Sequence, residues 1–484
     1  MINFSGWNHG GTRTSVAIAA VIALGCGGAS HPSSDRRAAA LEAEGRLWVL
    51  APHPDDEVLM AGELLRAAIA RGRPVSVVVM TNGDLSCTRD GHARQGETVA
   101  ALASLGVRES DVHFLGYPDG YLDSLGPDPL APLARTQPDG SCGLGDHTYA
   151  SHGEGGVDVH TLLRGTPGAY VASGVEEDLA ALLERDRPTE IVTSHGIDTH
   201  PDHAMAYVYL RRALERAAIT SPRILRAIVH QGPCWPNGAG REPCPDVALT
   251  RGTPFPSLAA PLDGYRPTLR IESPDLGLAK RAAIARYVSQ LGAPIADQSW
   301  LSSFARSDEI FFSETLTADP TRPGRLVRAG RARGEVGSIT SSRPGALSVH
   351  HVAPLTLSFD AQLDPGGVAR VAWLGSEGGA ALSIELDDGA VALHRGDTLL
   401  RLLPTPHGED PTLSHRYEVL VDPRPEEGPI AEVTVRRDGA IWMMAVIVAE
   451  LPVSEATTNT RGFAGDEITY AAERGALGVP SLVE

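Results

Sequence analysis

The stretch LWVLAPHPDDEVLMAGELL, Leu47 to Leu65, sets His53, Asp55, Asp56 and Glu57 between two apolar runs. Its opening residues, Leu47 to Ala51, form a continuous apolar run of the kind found in strands buried on both faces. From Val58 to Ala70 the apolar spacing becomes helical. A strand that passes directly into a helix leaves the polar residues at its carboxyl end, and open α/β sheets bind ligands along that edge. Pro54 fixes the backbone among them and has no amide donor. Adjacent aspartates point in different directions, so one can ligate a metal while the other stays free. The competing reading is that an aspartate caps the helix and His53 packs locally, which accounts for only one of the carboxylates.

The pattern repeats outward from this junction. Val75–Met80, Val112–Gly116 and Glu190–Ser194 read as further buried strands, and Glu97–Leu105, Val175–Glu184, Ala204–Arg216 and Leu278–Leu291 as helices. This alternation predicts an α/β domain with a Rossmann-like, mostly parallel sheet over residues 46–320. A Gly/Pro/Asp-rich segment from Gly116 to Gly174 interrupts it, and its His147, His152 and His160 read as surface histidines or as part of a lid. Beyond it, from 335 to 484, the texture changes. LTLSFDAQL (Leu355–Leu363) alternates strictly, and Asp388-Gly389 and Asp438-Gly439 mark hairpin turns. An all-β accessory domain is expected there, a jelly-roll sandwich that loosely resembles concanavalin-like carbohydrate-binding modules.

A second polar cluster strengthens the reading of the first. TSHGIDTHPDHAMAY (Thr193–Tyr207) follows the strand at Ile191 and Val192, so His200, Asp202 and His203 also fall at a strand's carboxyl end. Histidine and carboxylate ligands with one open position suit a catalytic zinc site. PHPDDE (52–57) with HPDH (200–203) resembles the signature of the PIG-L (LmbE-like) family of zinc-dependent N-acetylglucosaminyl deacetylases. The likeness extends to TNGD (Thr81–Asp84), RQGE (Arg94–Glu97), GYPDG (Gly116–Gly120) and the RYVSQ helix, and covers roughly residues 46–315. Pro52 departs from the alanine usual at that place and leaves every ligand intact. The resemblance implies that His53, Asp56 and His203 bind Zn2+, that Asp55 is the general base, and that a protonated His200, oriented by Asp202, faces the developing oxyanion. Arg94, Asp119 and Asp84 are substrate-contact candidates on the same ground, against bland readings as a surface arginine and as turn residues.

Whole-chain features bound the remaining classes. The chain has 484 residues and a net charge of -18, with no concentrated basic stripe, which argues against a nucleic-acid partner. Arg13 followed by the apolar run Val16–Leu24 fits a secretion signal, and ALGCGGAS resembles a lipobox ending at Cys26. These features predict a signal over 1–25, a flexible tether over 26–45, and an exported bacterial lipoprotein anchored through Cys26 in the periplasm or at the cell surface. Cys234 and Cys244 flank a turn-rich stretch and are expected to pair, leaving Cys87 with Cys142. The expected activity is removal of an N-acyl group, acetyl foremost, from an amino-sugar glycoconjugate. The alternatives are a carbohydrate-binding surface lipoprotein without turnover, and metal-assisted hydrolysis of another bond. No protein partner is expected.

Overall fold

The computed structural model describes residues 44–85, 87–126, 145–231, 235–236, 265–291, 298–320, 322–329, 336–343, 346–351, 355–374, 380–387, 390–395, 398–404, 413–424, 426–428, 430–448, 467–477 and 481–482. The expected signal, tether and lipobox, the Asp388-Gly389 turn, and Cys142, Cys234 and Cys244 lie outside them. Cys87 is disulfide-bonded, and its partner also lies outside them.

The opening stretch folds as β1 (Leu47–Ala51) and α1 (Asp56–Ala70). It continues through β2 (Val75–Thr81), α2 (Thr88–Ser104), β3 (Val112–Tyr117), α3 (Ala172–Asp186), β4 (Glu190–Ser194), α4 (Pro201–Arg216) and β5 (Arg223–Ala227). After these come β6 (Leu269–Glu272), α5 (Leu278–Ile284), β7 (Asp308–Ala318) and β8 (Leu326–Arg328). The sheet order is β3-β2-β1-β4-β5-β7-β6, with β8 paired to β7. Strands β1 to β5 are parallel to one another, whereas β7 runs antiparallel to β5, β6 and β8.

β1 is apolar throughout because both of its faces are covered. Leu47, Val49 and Ala51 join a core with α1 and α5, while Trp48 and Leu50 join the opposite core with α3 and α4. Each such side chain withdrawn from water contributes roughly 1.5–3 kcal/mol, so the strand cannot slip by one residue without exchanging its two faces.

The expected helix over Leu278–Leu291 is broken, with α5 ending at Ile284 and a separate short helix at Val288–Leu291. Helix α2 begins well before Glu97, because its first turns carry Arg, Asp, Gly and His rather than an apolar stripe.

The second region is antiparallel throughout. Its strands are β9 (Val336–Arg343), β10 (Ala346–His351), β11 (Leu355–Leu374), β12 (Ala380–Asp387), β13 (Ala390–Arg395), β14 (Thr398–Pro404), β15 (His415–Pro423), β16 (Ile430–Arg437), β17 (Ala440–Val448), β18 (Glu467–Leu477) and β19 (Ser481–Leu482). The main path runs β14-β13-β12-β11-β15-β16-β17. The expected turn at Asp438-Gly439 joins β16 to β17 with both residues at positive φ, 50° and 90°, which suits a two-residue hairpin.

The two regions share a core. Ile441 and Met444 of β17 pack in the same apolar cluster as Leu210 and Leu214 of α4.

Candidate metal centre

The strand order reverses between β1 and β4, since β2 lies on one side of β1 and β4 on the other. The turns leaving these two strands therefore diverge over a crevice, which is where an open α/β sheet holds a ligand. His53, Asp55 and Asp56 leave β1 there, and His200, Asp202 and His203 leave β4.

The ligand atoms converge closely. His53 Nδ1 lies 3.1 Å from Asp56 Oδ2 and 3.1 Å from His203 Nε2, and His203 Nε2 lies 3.0 Å from Asp56 Oδ2. A nearly equilateral triangle of this size fits a cation about 2.0–2.1 Å from each corner, the usual Zn–N and Zn–O distance. The outward nitrogens are also engaged. His53 Nε2 is 3.1 Å from Asp202 Oδ2 and 3.1 Å from Asp119 Oδ1, and His203 Nδ1 is 3.2 Å from Asp198 Oδ2. A carboxylate behind each histidine fixes its tautomer and orientation for metal binding.

Electrostatics agree with a cation-seeking site. Burial lowers the proton affinity of His203, but Asp198 and Asp56 override it and raise its pKa to about 10. Burial likewise opposes protonation of His53, and Asp119, with help from Asp202 and Asp56, lifts it well above the ordinary value. Such carboxylates demand positive charge, and a metal meets that demand by displacing protons from its ligands.

Asp55 takes a different place from Asp56. Its backbone sits at φ 124° and ψ -35°, a region costly for any residue with a side chain. It begins α1 through its carbonyl, which accepts from Val58 and Leu59 N–H; its side chain makes no capping bond. Capping therefore explains neither aspartate, since Asp56 Oδ2 accepts from His53 N–H at 2.9 Å.

Several contacts hold Asp55 in this conformation. Its N–H donates to Glu57 Oε2 at 3.0 Å, and Tyr287 donates to Glu57 Oε1 at 2.5 Å. Arg94 donates to Pro54 O at 2.7 Å and to Asp55 Oδ2 at 3.3 Å. Burial pushes the Asp55 carboxyl up to about 8, with Arg94 opposing and Asp56 and Glu57 adding to the rise.

His200 departs from expectation. Its Nδ1 accepts from Asp202 N–H at 3.3 Å, which leaves the ring proton on Nε2. Burial and the nearby His53 and His203 lower its pKa to about 4, so near neutral pH His200 is a neutral donor rather than an imidazolium. The Asp202 carboxylate does not serve His200 as expected. It accepts from Gly120 N–H at 2.7 Å and Leu122 N–H at 3.0 Å, and backs His53.

The expected substrate contacts are also spent within the protein. Arg94 is clamped as above and pairs with Asp119 at 3.6 Å, and Gly83 leaves room for it, since a Cβ there would meet the guanidinium at 2.5 Å. Asp119 backs His53. Asp84 is fully buried, accepting from Asp119 N–H at 3.0 Å and from Tyr149 at 2.8 Å. In the long segment, His147 meets Asp146 and His160 meets Asp178, while His152 lies near Glu109.

Asp198, His230 and Tyr287 belong to the site and were not singled out from sequence, and Glu57 was noted in the opening cluster without a role. Asp198 could have been read from its place in HGIDTHPDH, after the same strand as His203. His230, T-shaped to His203 at 4.8 Å and stacked on Trp300 at 5.1 Å, follows β5, whose apolar run is interrupted by Arg223 and Arg226.

Comparisons with known proteins show what the chain is similar to. The model of the GlcNAc-PI de-N-acetylase family, PIG-L, matches residues 48–214. A 1D-myo-inositol 2-acetamido-2-deoxy-alpha-D-glucopyranoside deacetylase of Salinispora arenicola is 27% identical over 287 residues, covering 54% of this chain and 79% of that protein. A protein of the same name from a Mycobacterium species is 31% identical over 194 residues, covering 37% of this chain and 53% of its own length. Among solved structures, N,N'-diacetylchitobiose deacetylase from Pyrococcus horikoshii aligns with a TM-score of 0.34 and 16% identity, over 60% of this chain and 87% of that one. The triangle of candidate ligands at the β1 and β4 exits lies inside the matched stretch, and residues 48–214 form a PIG-L family domain.

Proposed function

We propose that the protein is a zinc-dependent hydrolase that removes an N-acetyl group from an amino-sugar glycoconjugate. The observation that carries this reading is the triangle of His53, Asp56 and His203 with the separately held Asp55 beside it. A divalent metal held there supplies Lewis acidity, polarising an amide carbonyl and acidifying a water molecule.

The chain's own groups then divide the proton work. Asp55 takes the proton from the attacking water, and its buried carboxyl retains it until the amine departs. The Nε2–H of His200 donates to the oxyanion as charge develops there; this needs no charged imidazole. Asp202, Asp119 and Asp198 hold the ligand histidines in place through their outward nitrogens.

An N-acetylglucosaminyl substrate is supported by the relatives, which are named as acetamido-deoxy-glucopyranoside deacetylases. The test is acetate release from N-acetylglucosaminyl saccharides by zinc-loaded protein. Activity should vanish with a chelator and return with Zn2+. Tight glycan binding without acetate release under zinc would instead support the binding-protein reading.

The antiparallel region is read as a jelly-roll or concanavalin-like sandwich that contributes to glycan recognition. The chain is further read as an exported lipoprotein on the ALGCGGAS sequence. Cys26→Ser should move it from the membrane fraction to the soluble fraction; unchanged membrane association would refute the lipid anchor.

A further inference from the structure

β4 ends at Ser194, and the next residue, His195, is fully buried. Its Nδ1 accepts from Ile197 N–H at 3.0 Å, and its Nε2 lies 3.3 Å from Glu427 Oε2, in the β15–β16 connection. An accepting Nδ1 leaves the proton on Nε2, so the ring donates to Glu427. The main chain of His195 is held as well: its N–H donates to Ala227 O at 2.6 Å, and its carbonyl accepts from Asp198 N–H at 2.9 Å.

That turn delivers Asp198, whose carboxylate accepts from His200 N–H at 3.1 Å and from Val229 N–H at 2.8 Å, and meets His203 Nδ1 at 3.2 Å. A continuous set of hydrogen bonds thus runs from the antiparallel region to a metal-ligand ring.

A steric contact reaches the same turn from the same region. A Cβ on Gly196 would lie 2.7 Å from Val446 Cγ2 of β17, and a β-branched valine has little rotamer freedom with which to yield. The helix that follows the turn is gripped too. Arg212 of α4 donates to the carbonyls of Ile441 at 2.7 Å and Trp442 at 2.6 Å.

We propose that the C-terminal β region is a positioning element of the metal centre: Glu427 acting through His195, and Val446 against Gly196, set the turn that aims Asp198 and His203. The proposal rests on the metal-site reading above and adds that the β region is part of the working unit rather than a detachable module. Glu427 and His195 are positioning residues, since they act through the turn that carries Asp198.

Zinc affinity, measured on the full chain by competition with a chromophoric chelator, tests this without reference to turnover. Partners behind metal ligands typically alter affinity about 10- to 100-fold. Gly196→Ala should accordingly weaken Zn2+ binding by roughly 10-fold. Val446→Ala alone removes the wall beside Gly196 but leaves the His195 hydrogen bonds that hold the turn, so it should weaken binding only about 2-fold, and the double variant should recover most of the Gly196→Ala loss, as coupled neighbours do.

His195→Asn is an independent arm. Its amide oxygen can still accept from Ile197 N–H, but the side chain cannot reach Glu427, and it should weaken binding by a factor similar to Gly196→Ala. Circular dichroism and the unfolding midpoint establish that each variant is folded. If folded Gly196→Ala and His195→Asn bind zinc as the unaltered chain does, or if Val446→Ala restores nothing, the proposal is overturned. Failure of the unaltered chain to bind Zn2+ is a different result, and overturns the metal-site reading itself.

Discussion

Asp55→Asn should lower kcat by about 10^2 to 10^4, the usual contribution of a positioned general base, while zinc stays bound. The separation follows from geometry. The proposed metal triangle comprises His53 Nδ1, Asp56 Oδ2 and His203 Nε2, and Asp55 is in none of its sides. Chelator competition should give an unchanged zinc affinity for the variant, and acetate release should show the loss. A variant that lost metal and activity together would place Asp55 among the ligands and refute the division of labour.

The same residue should reveal its strain in unfolding. At φ 124° a side chain is costly and glycine is not. Asp55→Gly should therefore be more stable than Asp55→Ala by about 1–3 kcal/mol in urea unfolding, although glycine is ordinarily the worse residue near a helix. Both variants lose the carboxylate, so the comparison isolates the backbone. Equal midpoints would mean that the conformation is not strained.

Much of this was legible in the sequence because it is local. The apolar run of β1 and the helical period of α1 sit beside each other in the string, so the polar residues between them had to emerge at the sheet's edge. HPDH after β4 follows the same logic. What escaped was set by contacts distant in sequence. The expectation that Asp202 orients His200 followed chain neighbours, whereas its carboxylate is used by His53 and by the backbone of Gly120 and Leu122. Arg94, Asp119 and Asp84 are substrate-contact candidates by family likeness alone, and their partners within the protein, Pro54, His53 and Tyr149, lie far from them in sequence. The intimacy of the two regions was likewise invisible, since a change from helical to alternating texture marks a boundary in sequence and says nothing about its interface.

That interface should be sensitive to charge removal. Arg424 donates to Glu314 at 2.7 Å and to Glu432 at 2.6 Å, Arg226 pairs with Glu427, and Arg211 lies 3.5 Å from Glu432, all of them buried. Glu314, Arg226 and Arg211 come from β7, β5 and α4, and the other members from the β15–β16 connection and β16. Taking one partner from a buried set leaves an unpaired charge at a cost of about 3–5 kcal/mol, whereas removing a cation and an anion together is often close to neutral. Arg424→Met should therefore lower the unfolding free energy by about that amount, and Arg424→Met with Glu432→Met should recover more than half of it.

Acid should act on the same place. Burial and the Arg226 charge depress His195 to about 4, so the folded state keeps it neutral. The unfolded chain binds a proton there near its ordinary value of about 6.5, and stability is lost as pH falls from that value toward 4. For Glu427, burial alone would raise the pKa, but Arg226, with His195 and Arg424, holds it down to about 2. Its contribution is present above the ordinary carboxylate range and disappears as pH falls from about 4.5 toward 2. The two slopes have the same sign, so this pair contributes steadily less to the urea midpoint from pH 7 to pH 3, against the opposite contribution of the raised Asp55 carboxyl. In His195→Asn the decline between pH 6.5 and 4 should be shallower, because the group that titrates there is gone; an unchanged slope would move the acid sensitivity elsewhere.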